Sequence, residues 1–438
     1  MSVGRLISAL RARLRGVYRG WWIALVCYWT QLVTAGAGVW VFGVLLLSMQ
    51  HDFGWSQTTI IGVLTLERLI SGALSLVLGP FADRHGARVL MAGSSVLAAA
   101  SLVIVAFSWD VVTFYLGWGL YGLAQPGVGL LGPRVALANW FVRKRAQAFV
   151  LFTMGSASAG ILAVPAAAWV DVHYGWRPVW LVMAVMALSI APLAWWAVRR
   201  RPEDLGLLPD GDPVVPEGSA AARCRAIREA PWTVRQALHT RAFWLVTLGF
   251  LLIAMPSGTI MVNISGYVQS LGFRREEGAS VVAAFGIGVL CGRFVWGGFL
   301  ARLGLYRTLV LFAANYGLTI LLFALQHSLM GLYGTAFLVG AGGSGGQQIN
   351  AQTYADYYGR AIIGSLTGFS QLANVMIAGG APLVASMVFD ATGSYVPAFL
   401  FFAAACGGAA LAFLLSRPPV HPSLTRGGGI GGYQRDHT

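Results

Sequence analysis

The 438-residue chain is 57% hydrophobic and only 11% charged, with a mean hydropathy of +0.68. Soluble domains carry about a quarter charged residues, so the composition excludes an ordinary water-soluble enzyme or binding module. The formal net charge of +14 does not indicate a nucleic-acid partner, because the basic residues are scattered over many short loops instead of being gathered on one face.

A basic arm, residues 1–19, precedes an apolar run from Trp21 to about Ser48. That run is too long for a signal-peptide core and no small-residue cleavage site closes it, so it reads as an uncleaved first span. About 20 apolar residues cross a hydrocarbon core of about 30 Å as a helix. Apolar runs bounded by loop signals predict twelve such helices, over 20–48, 57–80, 88–107, 111–138, 146–171, 176–198, 242–269, 278–301, 307–326, 329–354, 362–389 and 395–416. The fold class is an all-α polytopic membrane protein.

After the sixth span the composition changes abruptly to "RRRPEDLGLLPDGDPVVPEG". A linker over 199–241 therefore divides two six-helix bundles, 20–198 and 242–416, and the tail over 417–438 reads as disordered. Every Lys and Arg except Arg68, Arg177, Arg274, Arg275 and Arg293 falls in the arm, in alternate loops or in the tail. This positive-inside bias places both termini in the cytoplasm and the chain in the plasma (inner) membrane. The cysteines Cys27, Cys224, Cys291 and Cys406 lack metal-ligand spacing, and no metal or cofactor is expected.

The halves repeat at an offset close to 218 residues: Gly54 with Gly272, Gly79 with Gly297, Arg84 with Arg302, Gly86 with Gly304 and Gly122 with Gly340. A parallel repeat of six-helix halves is the plan of secondary transporters, whose halves rock about a midplane site.

Glu67, Arg68 and Arg293 lie at membrane depth, where an ionised side chain costs about 2.5–3.5 kcal/mol even on lenient scales. Thr65, Arg68, Gly72, Ser75 and Gly79 follow three- and four-residue steps and form a small, polar stripe. Glu67 points about 100° away among Ile60, Val63, Leu64, Ile70 and Leu74, so the neighbours Glu67 and Arg68 do not face each other. Arg68 is expected to face the interior and Glu67 a neighbouring helix. As the sole deep acid, Glu67 is the candidate proton carrier, and an ionised Glu67 leaves one net positive charge that a bound monocarboxylate would cancel. Tyr121, Gln125, Asn263, Gln347, Asn350 and Asn374 are candidates to read substrate oxygens, against the plainer reading of hydrogen bonds between helices. "GGSGG" (342–346) matches a nucleophile-elbow pattern, but no strand precedes it and all 7 histidines fall in loops, ends or tails, so no enzyme is read here.

The loop "GPFADRHGARV" resembles the signature loop between helices 2 and 3 of the major facilitator superfamily, with Gly79, Asp83, Arg84, Gly86 and Arg88 at its characteristic positions and Arg302 as the second-half counterpart of Arg84. The resemblance spans all predicted helices and implies a cytoplasmic gate that latches the halves in the outward-facing state. "NWFVRKRAQAFVLFTMGSASAG", "RRRPEDLGLLPDG" and "DYYGRAIIGSLTG" resemble the monocarboxylate and oxalate–formate porter branches. That likeness implies that Arg293, in "GRFVWGG", grips a substrate carboxylate. The chain departs from the branches at Val289, where animal members carry an Asp, and at Gln371 and Asn374, where the oxalate exchanger carries a base. The expectation is a monomeric transporter of a small carboxylate with a proton as coupling ion. The alternatives are an anion exchanger, an efflux pump, or a membrane sensor that binds without transport.

Overall fold

The computed structural model describes residues 18–211 and 232–419. Most of the basic arm and of the tail, Cys224 and the middle of the linker lie outside the described residues. Among the described residues the chain is helical, with no strand. The helices are α1 (Arg19–Phe53), α2 (Gln57–His85), α3 (Ala87–Ala106), α4 (111–140), α5 (Arg145–Tyr174), α6 (Trp176–Ala197), α7 (Arg241–Ser270), α8 (Arg275–Leu303), α9 (Leu305–Ala324), α10 (329–358), α11 (Ile363–Thr392) and α12 (Val396–Leu415). Eight of the described helices are long and apolar enough to cross a membrane.

Local chemistry sets the helix ends. The Ser56 hydroxyl accepts from the Thr59 amide at 3.2 Å, and the Asp110 carboxylate accepts from the Thr113 amide at 3.0 Å. The Thr113 hydroxyl also donates to Asp110 and holds that carboxyl below its ordinary range. Gly86 and Gly304, one repeat apart, adopt φ of 83° and 77°, where a Cβ would be strained, and each joins two helices in a sharp turn. Widened turns at Gly36–Val41, Pro126–Leu130 and Ala159–Ala163 interrupt α1, α4 and α5.

Helices α1–α6 pack mainly with one another, as do α7–α12. In the first bundle Phe42, Trp118 and Trp180 meet edge to face, with ring centroids 5.1 and 5.5 Å apart across Trp118. In the second, Tyr267 packs on Phe399 and Phe323 at 5.1 and 5.2 Å. The bundles meet through α2 with α11, α5 with α8 and α10, and α4 with α11. The α4, α5 and α10 segments in these contacts are those nearest the described chain ends. Both ends lie on this terminal side: the Tyr18 hydroxyl donates to the Trp140 carbonyl at 3.0 Å, and the Tyr357 hydroxyl donates to the Ser416 carbonyl at 2.8 Å.

Candidate functional site

The polar stripe of α2 divides into two parts. Gly72, Ser75 and Gly79 pack on α11: a Cβ on Gly72 would stand 3.5 Å from Val375, and one on Gly79 would stand 2.5 Å from the Gly364 carbonyl oxygen. Backbone therefore meets backbone, and a side chain at Gly79 has no room. One turn further from the terminal side on the same face, Arg68 is exposed. Glu67 is only 7% exposed and has no hydrogen-bond partner among the described residues. Its backbone packs against α4, with the Glu67 carbonyl 2.9 Å from where a Gly122 Cβ would stand. The charge within reach of its carboxylate is that of Arg68, and the neutral, buried Tyr121 phenol lies nearby.

Arg293 of α8 reaches across to the other bundle, where its guanidinium donates to the Thr153 carbonyl on α5. Its buried Nε has no partner, and no carboxylate pairs with it among the described residues. Gln348 of α10 donates to the Arg293 carbonyl at 3.2 Å and fixes the backbone from behind. An arginine buried more deeply answers from the first bundle: Arg134 of α4, 4% exposed, donates to the Asn350 side-chain oxygen at 3.1 Å and likewise leaves its Nε unpaired. Asn350 and Asn374 line a cavity of about 20 Å³ with Thr247, Tyr354 and Ser370, room for a single water.

The terminal side is closed by polar contacts between the bundles. Asp83 at the end of α2 accepts from the Gly364 and Ser365 amides, both at 2.8 Å, and from the Ser365 hydroxyl at 2.6 Å, so its carboxylate caps the N-terminus of α11. Arg145 pairs with Asp356 at 2.5 Å, and Arg360 pairs with Glu203 at 2.5 Å and donates to the Asn139 carbonyl at 3.1 Å.

A sequence profile described as the Major Facilitator Superfamily matches residues 28–279 and 246–431. The chain belongs to the Major Facilitator Superfamily. It is an integral, multi-pass membrane transporter and not an enzyme. A probable L-galactonate transporter of Escherichia coli is 23% identical over 51% of this chain, which spans about half (49%) of that relative. A gallate transporter of Pseudomonas putida is 25% identical over 76% of each chain, and monocarboxylate transporter 11 of Mus musculus is 26% identical over 87% of this chain and 83% of the relative. The solved structure of the Escherichia coli fucose:proton symporter superposes with a TM-score of 0.69 at 14% identity, over 91% of this chain and 98% of the other.

Within this superfamily fold, the other residues expected to read substrate oxygens have the following surroundings. Tyr121 is 1% exposed and donates to the Thr34 carbonyl at 3.3 Å, because its face of α4 packs on α1 and Trp118. Asn263 is buried and donates one of its two amide N–H groups to the Thr259 carbonyl of its own helix at 2.9 Å. Gln125 packs against Gly38 and Gly129 at the widened turn of α4, and Gln347 is exposed. Of the loop residues, Arg84 and Arg302 are exposed and Gly86 packs on Arg200. Arg88 turns away from the seam to stack over Trp195, 4.0 Å from its ring centroid, because it lies on the outer face of α3. Arg134, Arg145 and Gln348 went unnoticed in sequence because their partners lie 55 to 216 residues away. Gln31, buried with its Oε1 unpaired, carried no sequence signal beyond its polarity.

Proposed function

We propose that the protein is a secondary active transporter of a small organic anion of the monocarboxylate class, working by alternating access with a proton as coupling ion. The observation that carries this reading is Arg293: a half-buried cation on the seam with its Nε fully buried and no acid partner among the described residues, whose guanidinium rests on a neutral carbonyl of the opposite bundle. A charge so placed is costly unless an anion visits it, and a carboxylate offers the planar pair of oxygens that a guanidinium fork matches. The relatives' names, galactonate, gallate and monocarboxylate, are all those of organic acids.

On this reading the terminal side is cytoplasmic, as the distribution of basic residues favours, and the protein faces outward with its cytoplasmic gate closed. Gly79 and Asp83, with Arg145 and Arg360, form the gate. Arg68 receives the anion above the seam, Arg293 binds its carboxylate, and Asn374 and Gln347 read its remaining polar groups. Binding exchanges Thr153 for substrate at Arg293, which loosens one contact between the bundles as the site fills. Glu67 carries the proton, and the protein acts as a monomer in the inner membrane.

In proteoliposomes with insertion verified, Arg293→Gln is expected to lower substrate flux about a hundredfold or more, the cost of leaving a carboxylate unpaired. Flux at the wild-type level in that variant overturns the assignment. Glu67→Gln is expected to abolish accumulation driven by a pH gradient while leaving exchange of substrate for substrate. Accumulation unchanged in Glu67→Gln removes the residue from coupling, and transport that requires a counter-anion favours the exchanger.

A further inference from the structure

The terminal ends of α1, α3 and α6 bring three arginines, Arg19, Arg88 and Arg199, to one lateral groove of about 900 Å³, remote from the seams between the bundles. Arg19 donates to the Trp196 carbonyl at 3.0 Å, and Arg88 stacks on Trp195 with its Nε buried and unpaired. The Arg88 guanidinium lies within electrostatic reach of both Arg199 and Arg19, and no carboxylate pairs with any of the three among the described residues. Cations that converge without an acid repel, and the arrangement is relieved by an anion bound between them.

The groove's shape selects the kind of anion. Its rim is cationic and carries two exposed tryptophans, 56% and 59% accessible, as at a membrane–water interface. Its floor runs from Arg88 past Gly93 to the half-exposed Val96, about 12 Å of helix. A Cβ on Gly93 would meet nothing within 4 Å, so the missing side chain leaves the floor open. In a chain that spans the bilayer, a charged rim above an apolar outward-facing floor matches a headgroup above an acyl chain.

We infer that this groove binds one anionic phospholipid, its phosphate held by Arg19, Arg88 and Arg199 and one acyl chain lying along α3 over Gly93. The charge complementarity requires a net negative headgroup, so a zwitterionic lipid with the same chains binds more weakly. The apolar floor requires the chain, so inorganic phosphate alone does not substitute.

Native mass spectrometry of the full-length protein in mild detergent, titrated with phosphatidylglycerol or phosphatidylcholine of identical chains, tests this. Wild-type protein is expected to retain one phosphatidylglycerol in preference to phosphatidylcholine. Arg88→Gln/Arg199→Gln is expected to weaken that binding about thirtyfold, at about fivefold per arginine. Gly93→Leu, whose Cβ would meet nothing within 4 Å and whose side chain extends over the floor, is expected to weaken both lipids alike, and it decides the matter if the charge variant does not fold. Millimolar inorganic phosphate is expected to leave the bound lipid in place. Equal retention of the two lipids by wild type, phosphatidylglycerol binding unchanged in Gly93→Leu, or displacement of the lipid by phosphate overturns the proposal.

Discussion

The helices α5 and α11 occupy equivalent places in the two bundles, beginning at Arg145 and Ile363, 218 residues apart. An aspartate binds backbone amides at the start of each, within the first turn of α11 and in the loop just before α5, yet the two aspartates come from different parts of the chain. Asp83, in the last turn of α2, crosses between the bundles to cap α11. Its repeat counterpart is Ala301, which offers α5 nothing. The loop before α5 is instead held by Asp210 of the linker, whose buried carboxylate accepts from the Val142, Arg143 and Lys144 amides at 3.1, 2.7 and 3.0 Å. Asp210 sits at φ 62°, a strained backbone for a residue other than glycine, and these three hydrogen bonds hold it there. One aspartate contact therefore breaks when the bundles separate and the other does not: a contact that stays on one side adds stability, and a contact between the bundles sets their equilibrium.

This contrast has consequences in order of size. Asp210→Ala leaves three amides without their anion and is expected to cost about 3 kcal/mol of stability, read from thermal or denaturant unfolding, with no change in the balance of open and closed states. Gly79→Ala drives a Cβ into backbone, which has no freedom to yield. It is expected to disfavour the closed terminal side by about 2 kcal/mol, a shift of about thirtyfold, seen as a longer distance between spin labels on the exposed His85 and Ala361. Asp83→Asn keeps one acceptor and loses the charge, and is expected to shift the same equilibrium about tenfold with little effect on unfolding. At Gly297, the counterpart of Gly79, an added Cβ meets only one methyl of Val150 before the next atom at 3.9 Å. Gly297→Ala is therefore expected to cost about 0.5 kcal/mol, removed by Val150→Ala. Equal effects of Gly79→Ala and Gly297→Ala would erase the distinction between the seams.

The sequence patterns that proved readable are local ones. Helical phase separates Glu67 from Arg68, and the spacing of Gly79, Gly86, Gly297 and Gly304 carries the repeat, because each depends on residues a few positions apart or on one constant offset. The pairings of Arg134 with Asn350 and Arg145 with Asp356 depend on how the bundles dock, which no local period encodes, so both arginines read as ordinary loop cations. Tyr121 and Asn263 show what polarity alone signals: a polar group in an apolar helix needs a partner, and the Thr34 and Thr259 carbonyls accept from them in this conformation. Arg88 matches the loop pattern, but its side chain lies on the outer face of α3, a direction fixed by the Gly86 turn.

The claim on which the functional account rests is that Arg293 exchanges a neutral carbonyl for a substrate carboxylate. It is tested most directly by the thermal stability of purified wild-type and Arg293→Gln protein against a panel of monocarboxylates and dicarboxylates. A ligand that binds only the folded state stabilises it by about 2.7 kcal/mol at a hundred times its dissociation constant. The account predicts a saturable shift for at least one monocarboxylate in the wild type and its loss in Arg293→Gln. The same shift in both proteins contradicts it.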